Sequence, residues 1–385
     1  MKFSLPEIIV FVVAAALPTY LIRFNLGAFP TTLLEIALIA AIVVLVAQTI
    51  KTKQISTNFT RLKNFATTNK LLSIGVALIL IATIIGIIVS PDKRGALGIA
   101  KAYFWEPILL TILLIGSNPD REKIQRAALA GFGVSAFVVI IYGLLQYTHP
   151  QLIPSTWTAE RRITSVFDFP NAAALYLAPL ITLFLSSPVT IALGAFSILI
   201  IVLAKSAGGM AASAVAIFLL GVWKKKTRKT MIALAILATL AIIFLPSAAD
   251  FRDQILMRDW SGRVHKIGWE ESFNMLKEHP VFGAGLNGYK TVVAPYHTAK
   301  GVEIFQYPHN LFLATWSELG ILGLIGFAFV LIWFFRRIYV LRSKFYVLTL
   351  AAALVAILAH GLVDVPYFKN DLSMMFWLFI TIAAI

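Results

Sequence analysis

Apolar runs broken by short polar clusters dominate the chain. A bilayer core of ~30 Å takes about 20 apolar residues to cross as a helix. Twelve runs approach that length, at 7–24, 33–50, 71–89, 102–116, 127–147, 170–186, 188–204, 211–223, 230–246, 310–335, 345–363 and 372–385. Those at 102–116, 211–223 and 372–385 fall furthest short of a full crossing. The first run does not read as a cleavable signal, because Pro18 interrupts it and a second run follows almost at once. The pattern predicts an all-α polytopic membrane protein with about 12 transmembrane helices, forming one transmembrane domain over 1–385.

One connection is far longer than the rest. About 60 residues, 247–308, separate the ninth and tenth runs, and connections of that length without a purpose are uncommon. Two stretches in it, FRDQILMRDW and GRVHKIGWEESFNMLKEH, read as amphipathic helices. In the second, Val264, Ile267, Phe273 and Leu276 recur at helical spacing, with Ser261 as a cap and Pro280 as a stop. Helices of this kind can lie on the membrane–water boundary and cover a cavity between spans.

Composition agrees with a bilayer environment: 59% of residues are hydrophobic and 13% charged, against ~25% charged in soluble domains. Such a chain is neither a soluble enzyme nor a disordered one. With no cysteine, disulfides, thiolate zinc sites, iron–sulfur clusters and cysteine nucleophiles are excluded.

The net charge of +15 is largely a matter of topology. With the N-terminus inside, the short inner loops (51–70, 117–126, 186–188, 224–229 and 336–344) hold seventeen Lys and Arg, against eight in the short outer ones. The last inner loop supplies Arg336, Arg337, Arg342 and Lys344. Positive residues favour the cytoplasmic side, so the N-terminus is expected in the cytoplasm and loop 247–308 outside. The run Lys224–Lys229 is then a topology anchor, not a nucleic-acid patch, and no nucleic-acid partner is expected.

Polar groups at the outer ends of the spans are the informative ones, because charge in lipid is costly. Arg161 and Arg162 precede Phe167 and the helix opening Pro170-Asn171. Lys205-Ser206-Ala207-Gly208-Gly209 breaks spans seven and eight, and Ser261-Gly262-Arg263 leads to Trp269 and the turn Pro280–Gly288. Tyr307-Pro308-His309-Asn310 opens the tenth span, with Glu318 within it. Paired guanidinium donors match phosphate oxygens, so Arg162 and Arg263 could hold a diphosphate. A boundary histidine, His309, can accept a proton near neutral pH. Blander readings stand beside these. Arg161 reads better as a headgroup anchor, Trp269 as an interfacial aromatic and Lys205 as a snorkelling side chain. His309 could simply cap a helix. Gly283-x-Gly285-x-x-Gly288 has no βαβ unit around it and reads as a tight turn. His360 and Asp364, four apart, read as a local pair, and Glu318 as a packing or interspan contact. No metal-ligand spacing emerges.

The stretch Tyr307-Pro308-His309-Asn310-Leu311-Phe312-Leu313, followed by Glu318-Leu319-Gly320-Ile321-Leu322-Gly323, resembles the bacterial O-antigen ligase/polymerase family. That family opens a span with His-Asn, continues Glu-x-Gly-x-x-Gly, and precedes it with a long outer loop carrying Arg, Trp and Pro-x-x-Gly-x-Gly. Arg263, Trp269, Pro280, Gly283 and Gly285 fit those places, and Arg162, Phe167 and Pro170-Asn171 fit an upstream segment. His360–Asp364 resembles a later one, so the resemblance runs over about 160–371.

The resemblance implies a GT-C-type membrane glycosyltransferase in the bacterial cytoplasmic (inner) membrane, with an extracytoplasmic site. It would move a glycan from undecaprenyl diphosphate to the hydroxyl of a glycan, lipid or protein acceptor, with inversion and with neither metal nor other cofactor. His309 and Arg263 would be catalytic, and Arg162, Arg263 and Lys205 would bind the donor diphosphate. Asn310, Trp269 and Glu318 would support them. The chain departs from the family at Ser206-Ala207-Gly208, where many members have Ser-Arg-Gly; Lys205 stands two residues earlier, without the guanidinium fork. A surface-polysaccharide polymerase of the same family is the alternative within the class, and a polytopic transporter or flippase the alternative outside it. A transporter would favour internal repeats, broken helices and mid-membrane charges.

Overall fold

The computed structural model describes residues 3–27, 29–341 and 345–385. Arg342 and Lys344 of the expected inner loop lie outside the described residues.

Helix α1 (Leu5–Ala16) opens on the Ser4–Glu7 capping box and runs into a 3-10 turn, Leu17–Leu21, at Pro18. A two-stranded antiparallel hairpin follows, β1 (Arg23–Leu26) with β2 (Phe29–Thr32). The first apolar run therefore ends earlier as helix than expected, and the fold is helical with one small exception. Then come α2 (Leu33–Lys51), the amphipathic α3 (Ile55–Thr68), α4 (Lys70–Val89) and α5 (Lys93–Ile99). A π-helical stretch, Ala100–Trp105, joins α5 to α6 (Glu106–Ser117). The long α7 (Arg121–Thr148) and a single turn, α8 (Ser155–Thr158), lead to α9 (Pro170–Phe184), α10 (Ile191–Leu203), α11 (Ala207–Trp223) and α12 (Lys225–Phe244). The long connection holds α13 (Ala249–Ile255), α14 (Trp260–Glu278) and α15 (Tyr289–Val292). The chain closes with α16 (Leu311–Leu341), α17 (Phe345–His360) and α18 (Asn370–Ala384).

Among the described residues, six helices are long and apolar enough to cross a membrane: α2, α4, α5 continuing through α6, α7, α12 and α16. Six more apolar segments are shorter, including α9, α10, α11 and α18. Several polar clusters expected as loops are helical. Lys225–Lys229 form the first turns of α12, Arg121, Lys123 and Arg126 belong to α7, and Arg336 and Arg337 belong to α16. A basic side chain does not end a helix when its backbone bonds continue.

The centre of the bundle is α9 and α18, whose residues are almost all buried. Around them, α4 packs on α16, α1 on α7, and α17 on both α9 and α11. The α4–α16 approach depends on small residues: a Cβ at Gly75 would meet the Gly326 carbonyl at 2.8 Å. Close backbone approach through small residues is a familiar route to helix association in lipid.

The long connection carries two amphipathic helices, as expected, with corrections: of FRDQILMRDW only Phe251–Ile255 is in α13, and the chain turns before α14. Asp259, not Ser261, caps α14, accepting from the Gly262 N–H at 2.9 Å. The buried face of α14 carries Gly262, Ser272, Met275 and Leu276, while Phe273 is 52% exposed. The helix stops at Glu278, two residues before Pro280.

Candidate active site

The site is assembled at one end of the bundle, where α9, α11, α16 and α18 begin and α10 and α17 end. Asn310 sets the start of α16. Its side-chain oxygen accepts from the N–H groups of Phe312 and Leu313, both at 3.0 Å, and its amide donates to the Leu362 carbonyl. The Leu311 N–H also donates to the Gly361 carbonyl at 2.7 Å. These bonds tie the His-Asn segment to the turn after α17. His309 sits immediately before, with φ at +48°, a left-handed conformation that costs energy in a residue with a side chain and marks a site held by its surroundings.

The His309 ring is enclosed on several sides. Its Nδ1 lies 3.6 Å from Asp364 Oδ1, an ion-pair distance rather than a hydrogen bond. Phe305 presents its edge with ring centroids 4.8 Å apart, and His265 of α14 lies 5.0 Å away on a tilted plane. Trp269, one turn on from His265, stacks on it and donates its indole N–H to the His309 carbonyl at 3.4 Å.

The electrostatics follow from this enclosure. Burial works to raise the Asp364 pKa, but the facing His309 and His360 rings and the Val365 N–H outweigh it and bring it down to about 2. Burial, reinforced by the charge of His309, lowers His265 to about 4. At neutral pH the cluster therefore holds a carboxylate against His309 and a neutral ring beside it.

Arg162 lies on the connected loop before α9. Its Nε donates to the Ala204 carbonyl at 3.0 Å, Nη2 to the Asn171 side chain at 3.3 Å, and Nη1 is 3.7 Å from Glu160. The guanidinium also stands 5.0 Å over the Trp157 ring. Burial lowers its pKa from the ordinary arginine value, though an arginine remains charged. Lys205 is exposed and donates to the Glu160 carbonyl at 2.7 Å.

These pieces connect. Ala204 and Lys205 lead into the start of α11, where a Cβ at Gly208 would meet the buried His360 ring at 3.1 Å. One turn beyond His360 is Asp364, and Asp364 faces His309. Arg162 and Lys205 thus lie on the segments that meet at the start of α11, which packs near His360, and Asp364 beyond His360 faces His309. Arg263 makes none of these contacts. It is exposed on α14, 5.5 Å over the Trp260 ring, with no side-chain hydrogen bond or ion pair to Arg162 or His309 among the described residues.

Glu318 is fully buried and serves the long connection. Its Oε2 accepts from the Asn287 N–H at 2.5 Å, while Oε1 has no partner among the described residues. Two residues later α16 breaks at Gly320, with φ +65° and ψ −174°. The turn after Pro280 threads into that break. Ile321 N–H donates to the Val281 carbonyl at 3.0 Å, Ala284 N–H to that of Ser317 at 2.7 Å, and the Trp316 indole to that of Pro280 at 2.7 Å. A Cβ on Gly320 would lie 2.2 Å from the Val281 carbonyl, so glycine is required by both space and φ. The glycines at 283 and 285 are a turn packed on α16 and α4, not a nucleotide loop.

Three features of the site are not visible in the sequence pattern. His265 and Phe305 carry no spacing that links them to His309. Asp364, expected to pair with His360, interacts with that ring and also faces His309, because the turn at Gly361 brings it across to α16. Among the described residues no three His, Asp or Glu side chains converge as a metal ion would require.

The fold and this cluster define a multi-pass helical membrane protein with a histidine–aspartate–arginine site at one end of its bundle. Residues 192–328 match the family model described as O-antigen ligase, the family that the motif resemblance points to. The matched segment contains Lys205, Arg263, Trp269, His309, Asn310 and Glu318; Arg162, His360 and Asp364 lie outside it. No curated protein gives a significant match.

Proposed function

We propose that the protein is a lipid-linked glycan transferase of the O-antigen ligase type. The six long spans and the six shorter apolar segments would make twelve crossings of a bacterial cytoplasmic membrane, with the N-terminus in the cytoplasm. The Lys and Arg asymmetry supports this orientation, which puts the His309 end of the bundle outside. The donor would be a glycan on undecaprenyl diphosphate, the acceptor a hydroxyl on a glycan, lipid or protein.

The observation that carries this reading is His309 enclosed with Asp364 at the end of the bundle where Arg162 also lies. Asp364 holds the Nδ1 side of the ring, leaving Nε2 to take the acceptor proton, the division of labour found in histidine–aspartate pairs. The acceptor oxygen attacks the anomeric carbon from the face opposite the diphosphate. The bond from that carbon to the diphosphate oxygen breaks, the electron pair leaves with the lipid diphosphate, and the proton goes to His309. The Arg162 fork neutralises the leaving charge, so the leaving group needs no proton. Lys205, bonded to the carbonyl of the Glu160 that faces Arg162, is a second cation nearby. Arg263, on the exposed side of α14, would reach the donor only after α14 or the donor itself brings them together. No metal or other cofactor enters this scheme.

The transporter reading draws on the break in α16 and on Glu106, which is buried with one oxygen unpartnered. The break is occupied by the long connection, however, and Glu318 beside it is bonded to that connection. This favours a scaffold for an outer site over a gated path.

The test is transfer by the purified protein, reconstituted with a defined undecaprenyl-diphosphate glycan and candidate acceptors, with product length measured. One transfer per acceptor indicates a ligase and a ladder of lengths a polymerase. Absence of transfer to any hydroxyl acceptor, with donor bound, would overturn the proposal.

A further inference from the structure

A cavity of about 470 Å³ opens at the other end of the bundle, a volume typical of small-molecule sites. It lies at the far ends of α9 and α17 from Arg162 and His360, since α9 runs from Pro170 to Phe184 and α17 ends at His360. Its rim is polar: Glu122, Gln125 and Arg126 on the first turns of α7, Ser187 beyond α9, and Tyr346 at the start of α17. Its floor is apolar, with Phe132 and Ile382 among its side chains. Phe132 is ~9 Å deeper along α7 than Arg126.

Two polar atoms at this cavity are buried without a partner among the described residues, Gln125 Nε2 and Tyr346 Oη. Both can donate, and a buried donor left unmatched is costly. Among the described residues the rim carries one charged side chain of each sign: Glu122 and Arg126 form a pair at 3.7 Å, their side chains 66% and 56% exposed. An anionic headgroup would meet Arg126 but also the Glu122 carboxylate. A zwitterion with a primary ammonium satisfies both, its phosphate accepting from Gln125, Tyr346 and Arg126 while its N–H groups donate to Glu122. A choline headgroup has no N–H to give. The apolar floor then takes an acyl chain.

We infer that this cavity is a binding site for an aminophospholipid of the phosphatidylethanolamine type, drawn from the membrane leaflet opposite the candidate active site. The inference does not depend on the proposed glycan transfer.

Native mass spectrometry of the whole purified protein, incubated with equal phosphatidylethanolamine and phosphatidylglycerol, tests it. The wild type is expected to retain the ethanolamine lipid over the glycerol lipid by about fivefold, the effect of one partly screened ion pair. Glu122→Gln, at an exposed position that leaves the fold intact, should bring that ratio close to one. Gln125→Ala with Tyr346→Phe should lower retention of both lipids, with unchanged thermal unfolding as the control. Excess soluble phosphoethanolamine should not displace the lipid, because it has no chain for the floor. Equal retention of both lipids by the wild type, a preference unchanged in Glu122→Gln, or displacement by phosphoethanolamine would each overturn the inference.

Discussion

His309 is defined by what surrounds it more than by its place in a motif. Its backbone is left-handed, its carbonyl is held by Trp269, and its ring is bounded by Asp364, His265 and Phe305. In the proposed mechanism Asp364 stabilises the charged imidazolium. Asp364→Asn removes the carboxylate that faces the Nδ1 side of the ring, and the maximal rate should fall by about tenfold to a hundredfold. A maximal rate equal to that of wild type would remove Asp364 from the account. At this scale the sequence was informative about His309 and Asn310, whose dipeptide opens a span, and silent about His265. That residue meets His309 only because α14 is folded back over the start of α16.

The long connection is the element on which the site depends. Its two anchors are chemically different. One is the turn threaded into the break of α16, where Gly320→Ala would force a Cβ against the Val281 carbonyl in a conformation that suits only glycine. We expect the variant to lose at least ~2 kcal/mol of stability, seen as a lower unfolding temperature in detergent; an unchanged temperature would mean that the break is not constrained.

The other anchor is His297. Its Nδ1 faces Glu271 at 3.0 Å and its Nε2 faces the Val302 carbonyl at 3.0 Å. Both neighbours are acceptors, so both bonds form only when the ring carries two protons. The bond to Glu271 raises the His297 pKa above its ordinary 6.5. A raised folded-state pKa contributes stability that is complete below 6.5 and is lost as pH climbs through the raised value. Protease cleavage within 294–304 should therefore speed up from pH 6 to pH 9 in the wild type, while His297→Gln should show no such trend.

Helical periodicity placed the second amphipathic helix of this connection; of FRDQILMRDW only Phe251–Ile255 lies in α13, and the chain turns at Met257 before α14 begins. The cap of α14 was misplaced by two residues because Asp259 and Ser261 are both good capping types, and only the backbone decides between them. The β1–β2 hairpin escaped notice for a related reason. It is short, and it follows an apolar run with no break that composition could detect.

The whole molecule is a bundle whose two ends differ, one carrying the His309 cluster and the other the polar-rimmed cavity. Each of the twelve apolar runs overlaps a helix, since lipid imposes continuous hydrophobic stretches. They overstated the loops: α3 and the basic starts of α7 and α12 are helical although their composition is polar. Orientation rests on charge asymmetry, and the chain has no cysteine, which makes it directly measurable. Asn274→Cys should react with an impermeant thiol reagent applied to intact cells, and Lys226→Cys only after the membrane is opened. The reverse pattern would place the His309 cluster in the cytoplasm, away from any outer-leaflet donor.

The central claim is that Arg162 and His309 act together on one lipid-linked glycan. Its most direct test is the initial rate of glycan transfer from undecaprenyl diphosphate by wild type, Arg162→Ala and His309→Ala in the same nanodiscs, each matched for thermal unfolding. Loss of the base predicts a rate lower by about 10²–10⁴ in His309→Ala, and loss of the fork a comparable fall in Arg162→Ala with weaker donor binding. Transfer at the wild-type rate by either well-folded variant would contradict the account.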